Sequence, residues 1–403
     1  MPLIASLYVN YFFQGIASII ISQNLHAFQM RWSASISQVS LVVSAIGLGR
    51  LLSLNFSGWF SDRFGRKYTV LLGVLANVFF FVGLVCTKHY LQAFFAALFA
   101  GVGNAFLDTS TYPVVNEAFP KEQDNSALSV MNKAFISLGQ FILPFVVRWS
   151  LHNDIYFGWP FWFCAVGLLL NFCFLLRFSY PDSQAILNKI IVAHEVPKAK
   201  IQLEGLALLI FSFVSVSLFN IFVLWIPTFA QETLGVSEEN SLLFVSVYSI
   251  SSLISVFVTS FIVKQKVSIP DLILLCLFLS GGAMLYMLLF PSYLSLIVTS
   301  LAVGIFAAGG IWQLGLSVLL EFFPGSKGIV TSFYSFATAV SVMLTPYVTG
   351  LMAEKSTYLT FAYNIVLAFI GFLAILVVKV RYTKILKNKG LSSFSLKNGD
   401  YKK

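Results

Sequence analysis

The chain has 403 residues, of which 58% are hydrophobic and only 10% charged, with a formal net charge of +9. A soluble domain carries about 25% charged residues, so no aqueous core could hide this much apolar surface and the solvent for most of the chain is lipid. The cations crowd into loops of one parity, the positive-inside pattern, which excludes nucleic acid as the reason for the charge.

A span needs about 20 apolar residues to cross a bilayer, and its amides must bond within the segment, so each span is a helix. Twelve are predicted. The first, Leu3–Phe28, follows Met1-Pro2 with no basic leader and reads as a retained helix rather than a cleavable signal. It carries a polar stripe of Asn10, Gln14 and Ser18. The second, Ile36–Phe60, contains Arg50 and runs into a short basic loop, Gly58-Trp59-Phe60-Ser61-Asp62-Arg63-Phe64-Gly65-Arg66-Lys67. The third is Tyr68–Cys86. The fourth, Leu91–Phe119, places Asn104, Asp108 and Tyr112 four residues apart on one face and ends Glu117-Ala118-Phe119-Pro120. The fifth, Ala127–Val147, carries Lys133, Ser137 and Gln140; the sixth is Phe157–Leu176.

A polar segment, Arg177–Lys200, with Pro181 and Pro197, is the longest loop and splits the chain into six plus six. The second set is Leu203–Ala230, Leu242–Val263, Leu272–Phe290, Leu294–Phe322, Val330–Met352 and Leu359–Val380. The expected organisation is an N-terminal six-helix bundle over residues 1–177, a central cytoplasmic loop over 178–200, a second bundle over 201–381 and a basic cytoplasmic tail over 382–403. Helix ten ends Glu321-Phe322-Phe323-Pro324, an echo of helix four, and Leu143-Pro144-Phe145 in helix five is echoed by Thr345-Pro346-Tyr347 in helix eleven. Two echoes in consecutive helices, in the same order, point to duplication of a six-helix unit.

The fold expected is therefore all-α, twelve transmembrane helices in two pseudo-symmetric bundles, with both termini cytoplasmic. Arg63, Arg66, Lys67, Lys121, Arg177 and the run from Lys379 then fall inside, and Arg31, Lys88 and Lys355 outside. Cys86, Cys164, Cys173 and Cys276 all fall inside spans with no metal spacing or disulfide framework; they read as small buried hydrophobes. The chain shows no nucleophilic triad, no phosphate-cradling glycine loop and no ATPase motif. No enzyme, no metal and no cofactor is expected, and an ion gradient is the energy source.

Three formal charges lie deep in the first half. Arg50 is twelve residues before Asp62 and Asp108 twelve before Pro120, each roughly 18 Å into the bilayer at about 1.5 Å per residue; Lys133 lies nearly as deep. Charge at that depth is costly and faces a cavity or a partner. Two cations and one titratable acid suit an anionic solute, with Asp108 as the proton-coupling group and Arg50, Lys133, Asn104, Tyr112, Gln140 and Gln14 as its surroundings. From the second half, Trp312 and Gln313 follow Gly309-Gly310 and could hold a hydroxylated ring. Glu117 and Glu321, at the loop ends of helices four and ten, read as gate residues pairing with basic loop residues.

The Gly58–Lys67 segment resembles the signature between helices two and three of the major facilitator superfamily, in its glycines, acid, following Arg and Arg-Lys pair. Ile46-Gly47-Leu48-Gly49-Arg50-Leu51, Gly103-Asn104-Ala105-Phe106-Leu107-Asp108-Thr109, Tyr112-Pro113 and Gly309-Gly310-Ile311-Trp312-Gln313-Leu314-Gly315 are similar to its enterobacterial YdiN/YdiM type of inner-membrane transporter. The resemblance implies a secondary transporter working by alternating access, a small-molecule solute with protons as partners, and function as a monomer. It implies that Gly58 allows close helix packing, and that Asp62 faces the start of helix eleven near Gly325–Ser326. Arg63, Arg66 and Lys67 would hold the loop at the membrane face beside Gly65. The matching loop of the second half, Lys264-Gln265-Lys266, departs from the signature. Helix five lacks the Gly-Pro-Gly-Gly cluster of similar drug/proton antiporters, which favours uptake of a small hydroxylated organic anion, shikimate- or quinate-like, over drug or metabolite efflux. A lipid flippase and a transporter-like sensor are the other classes in play.

Overall fold

The computed structural model describes residues 2–118, 126–180, 201–263, 267–323 and 327–385. Among them every regular element is a helix, and twelve are long and apolar enough to cross a membrane. The N-terminal half comprises α1 (Pro2–Gln23), α2 (Leu25–Trp32), α3 (Ile36–Phe64), α4 (Arg66–Cys86), α5 (Tyr90–Ala118), α6 (Ser126–His152) and α7 (Trp159–Arg177). The C-terminal half comprises a π-turn at Ile201–Gly205, α8 (Leu206–Leu234), the short α9 (Glu238–Ser241), α10 (Leu243–Val263), α11 (Ile269–Leu289), α12 (Tyr293–Ala302), α13 (Ile311–Phe322), α14 (Lys327–Ala353) and α15 (Thr357–Ile385). The end of the molecule that carries Gly65 is called the loop end below, and the other the far end.

Three departures from the expected spans have local causes. The first span stops at Gln23: Asn24 turns its amide onto the Ile20 carbonyl at 2.8 Å, and α2 restarts after it as a separate helix. The tenth span is broken. α12 runs through a π-turn at Val303–Ala307, and Gly310 takes φ +110° before α13 begins. Carbonyls freed by the break are recovered by hydroxyls of α10: Ser255 donates to the Ile305 carbonyl and Thr259 to that of Gly309, both at 2.7 Å. The ten-residue basic loop is a one-residue joint. α3 continues through Asp62 and Arg63 to Phe64, and Gly65, at φ +93°, alone separates it from α4. The last helix also runs to Ile385, four residues past the expected boundary at 381. The central loop beyond Tyr180, the Lys264–Lys266 loop and the tail lie outside the described residues.

Two kinds of contact organise the halves. Inside the first, α3 and α5 touch backbone to backbone: a Cβ on Gly49 would sit 2.1 Å from the Leu98 carbonyl oxygen, and one on Gly101 2.0 Å from that of Ile46. Between the halves, α3 lies antiparallel against α14. Gly47 presses on the backbone of Met343, and Gly350 on the side chain of Ser40. The Tyr347 amide donates to the Ser44 hydroxyl at 3.0 Å, and Ser37 bonds Glu354 at the far end. α6 packs on α10 in the same region: Ser246 donates to the Phe141 carbonyl at 3.0 Å, Ser137 meets Ser252 at 3.4 Å, and His152 lies 3.5 Å from Glu239. These interhalf contacts run from the middle of the bilayer to the far end. Most of them set a Gly or Ser on at least one side, because small residues allow two helix backbones to approach this closely in lipid.

Candidate substrate and coupling site

Arg50 sits where the α3–α14 seam stops. It is three residues past Gly47, one turn nearer the loop end. Its Nη2 donates to Asp108 Oδ2 at 3.1 Å, and the two side chains are 20% and 22% exposed. The glycine contact between α3 and α5 is what makes this reach possible: Gly101 brings the α5 backbone directly under Arg50, and Asp108 follows two turns later. The other carboxylate oxygen of Asp108 accepts from the Tyr11 hydroxyl at 3.1 Å. Tyr11 in turn stands edge-on to Tyr112, with ring centres 6.4 Å apart. α1, α3 and α5 thus converge on one carboxylate. Below it the same two helices are pinned by Ser57 against Thr109 at 2.8 Å.

Lys133 does not join this pair. Its ammonium lies over the ring of Phe219 on α8, 5.0 Å from the centroid, and so faces the other half. Among the described residues no carboxylate lies within ion-pair distance of it. Of the three deep charges, two form a neutral pair and the third is a cation held by the negative face of an aromatic ring. Gln140 donates to Ser18 at 3.0 Å across the α1–α6 crossing, which is as tight as the α3–α5 one: a Cβ on Gly15 would meet the Ile136 carbonyl at 2.1 Å. Gln14 Oε1, Gln140 Oε1, Asn104 Oδ1 and Arg50 Nε are buried without a protein partner. Unpaired buried polar atoms are costly, and these four stand on α1, α3, α5 and α6.

Other expected site residues are placed differently. Trp312 has already spent its indole N–H, on Thr338 at 2.8 Å, and packs on Tyr334. It is a strut between α13, α8 and α14, and Gln313 beside it is exposed. Asn10 accepts from Asn171 of α7 at 2.7 Å, inside the first half. Gly58 is at no close approach, since a Cβ there would meet open space; Gly65 is the glycine the joint needs, because an L side chain is strained at φ +93°. Asp62 accepts from Arg66 Nη1 at 3.0 Å, one turn along, and is 68% exposed; Gly325–Ser326 lie outside the described residues. Arg66 also donates to Ser61 at 2.6 Å, Lys67 caps the Leu176 carbonyl at the end of α7 at 2.7 Å, and Arg63 stacks on Trp59 and Phe64. Here the signature ties α3, α4 and α7 of its own half together. Glu321 accepts from Tyr382 of the last helix at 2.8 Å; the side chain of Glu117 is outside the described set.

Sequence reasoning missed Tyr11 and Glu354. Tyr11, Gln14 and Ser18 fall at i, i+3 and i+7, a truer helical face than the i, i+4, i+8 stripe that began at Asn10, so the signal was present. Nothing in the sequence marked Glu354, since a lone acid at a span end is the commonest of surface residues.

A two-lobed helical bundle with a polar cluster where the lobes meet is the arrangement of a membrane solute carrier. The chain belongs to the Major Facilitator Superfamily, whose family model matches residues 3–289 and 266–398. It is a multi-pass membrane transporter and not an enzyme. It is 30% identical to the inner membrane transport protein YdiM of Escherichia coli K12, covering 97% of this chain and 96% of that one. It is 31% identical to YdiN of the same organism, covering 94% and 90%. Among solved structures it superposes on a D-xylose–proton symporter with a TM-score of 0.74 at 16% identity, over 93% of this chain and 96% of that one, a likeness of fold.

Proposed function

We propose that this transporter is a secondary carrier that takes up a small hydroxylated organic anion together with protons, by alternating access, from a site centred on Arg50, Asp108 and Tyr11. The observation that carries the reading is that ion pair, held between α3 and α5 one turn past the Gly47 contact with α14. A buried pair of this kind is no gain in stability over apolar packing, and its place at the seam's end suits a working site. Protonating Asp108 releases the Arg50 guanidinium from its counter-ion. Arg50 is then free to take a substrate carboxylate, and Lys133 adds attraction from α6. The unpartnered amide oxygens of Gln14, Asn104 and Gln140 suit hydroxyl donors; a shikimate- or quinate-like ring acid has both features.

With both termini cytoplasmic, as the loop charges favour, the far-end contacts close the outer side in the state described. The similarity to inner membrane transport proteins supports a plasma-membrane carrier. Asp62, exposed in this state, would meet the start of α14 when the loop end closes, and the carrier would work as a monomer.

The test is uptake of labelled ring acids, neutral sugars and amino acids into proteoliposomes under an imposed pH gradient. Accumulation of acids alone, lost in Asp108→Asn while counterflow exchange survives, is the expected result. Proton-driven accumulation by Asp108→Asn at the wild-type level excludes the coupling role, and accumulation of neutral solutes alone excludes the anion.

A further inference from the structure

The seam between α3 and α14 keeps strict register. Residue 37 meets 354, 40 meets 350, 44 meets 347 and 47 meets 343, so the numbers of each pair add to 390 or 391. At its far end Glu354, immediately past the last residue of α14, reaches the start of α3. Its Oε1 accepts the Ser37 amide at 3.3 Å and the Ser37 hydroxyl at 2.6 Å. Ser37 is the second residue of α3. The first turn of that helix is otherwise satisfied by its own capping box, in which the Ser35 hydroxyl accepts the Gln38 amide and Gln38 returns the bond to Ser35. Glu354 thus supplies from the other half the acceptor that the cap leaves wanting, and sets a negative charge on the positive end of the helix.

Continuing the same register to the loop end places Asp62 opposite residues 328–329, the second and third residues of α14. Each helix of the pair therefore ends in an acid that stands, in register, at its partner's second residue. On the alternating-access reading the site opens to one side at a time, and opening either end breaks the latch there. In the state described, Glu354 is engaged and Asp62 is turned back onto Arg66.

We infer that Glu354 on the start of α3 is a latch that holds the far end shut, opposed to the loop-end contact that the family resemblance implies for Asp62 at the start of α14, so that the two carboxylates exchange engagement in each transport cycle. This rests on the alternating-access reading. It assigns Glu354 a positioning role: the residue contacts no substrate and biases which side of the membrane the site faces. Cutting either latch favours the state that the other stabilises.

The test is a far-end distance between spin labels on Lys88→Cys and Ser237→Cys, one in each half, in a background without the four native cysteines. It needs neither substrate nor gradient. Glu354→Ala is expected to raise the ratio of far-end-open to far-end-closed molecules about tenfold, the scale of one charge-assisted hydrogen bond. Glu354→Gln, which keeps the fold and an acceptor oxygen, should give a smaller rise. Asp62→Asn should move the ratio the other way, and the double variant should return toward wild type. An unchanged ratio in Glu354→Gln and Glu354→Ala, or an Asp62→Asn shift in the same direction as Glu354→Ala, overturns the latch. A wild type with two populations whose ratio ignores Glu354 leaves alternating access standing without it; a single unmoving distance in every variant sinks both.

Discussion

The two halves share a fold and solve the problem of polar groups in lipid in opposite ways. In the first half, polarity is ionic and concentrated: Arg50, Asp108 and Tyr11 meet at one point, with buried oxygens nearby left unpartnered. In the second, the polarity between α8 and α14 is neutral and distributed. α8 and α14 are laced by hydroxyls, with Ser212 on Thr338 and the Tyr334 carbonyl, Ser217 on Ser341 and Thr345, and Trp225 on Thr349. Each of those groups has its partner, so the ladder has no capacity left for a ligand. The difference teaches that, on the proposed reading, the first half would carry the chemistry and the α8–α14 pair would form a wall beside it. It also explains why Trp312, which looks like a ligand residue in sequence, belongs to the wall.

The largest effect that would break this division is at Arg50. Arg50→Ala strands Asp108 in mid-bilayer and should cost about 3 kcal/mol of stability, the scale of an orphaned buried charge, and abolish uptake; Arg50→Lys should restore folding more than transport. Thermal melting and vesicle uptake of the two variants check this. Second, Gly101→Ala and Gly47→Ala both insert a methyl where a backbone already stands, and each should cost about 1–3 kcal/mol by overpacking. They should differ in kind. Gly101 lies inside the first half, so its variant should melt lower with Arg50 displaced from Asp108. Gly47 faces Met343, so its variant should pry the far end open in spin-label distances. Identical behaviour would mean that the seam and the α3–α5 contact are one rigid unit.

A smaller effect is expected at the wall. Trp312→Phe removes the indole N–H that Thr338 and Ser212 share, and should cost about 0.6 kcal/mol with no change in ligand preference; a changed preference would move Trp312 into the site. The smallest effect concerns pH. The Ser37 hydroxyl, with Ser35 and the Ser37 amide, holds the Glu354 carboxyl below the ordinary glutamate range. A carboxyl depressed in the latched state contributes fully above its unlatched pKa and loses that contribution as pH falls through the depressed value. Far-end distances should therefore be constant from neutral pH down to about 5 and lengthen only in stronger acid.

The topology was legible in the sequence because lipid imposes a simple rule: an apolar run of span length is a helix. Arg50 and Asp108 were legible for the same reason, since a charge at mid-bilayer needs an explanation wherever it stands. What was not legible follows from contacts rather than composition. Lys133 reads as a third member of the cluster by depth, yet depth does not say which way a residue faces on its helix, and Phe219 claims it. Gly58 belongs to the recognised signature and does no packing here, while Gly47, Gly49 and Gly101 do the packing. Glu354 became visible only when its partner 317 residues away was in place.

The most direct measurement is a thermal shift of the purified transporter with shikimate, quinate and neutral sugars of similar size, repeated on Arg50→Ala. Stabilisation of the wild type by a ring acid, absent for the neutral analogue and lost in Arg50→Ala, is the predicted result. An acid that stabilises both proteins equally, or neutral sugars that stabilise the wild type while acids do not, would contradict an anion site built on Arg50 and Asp108.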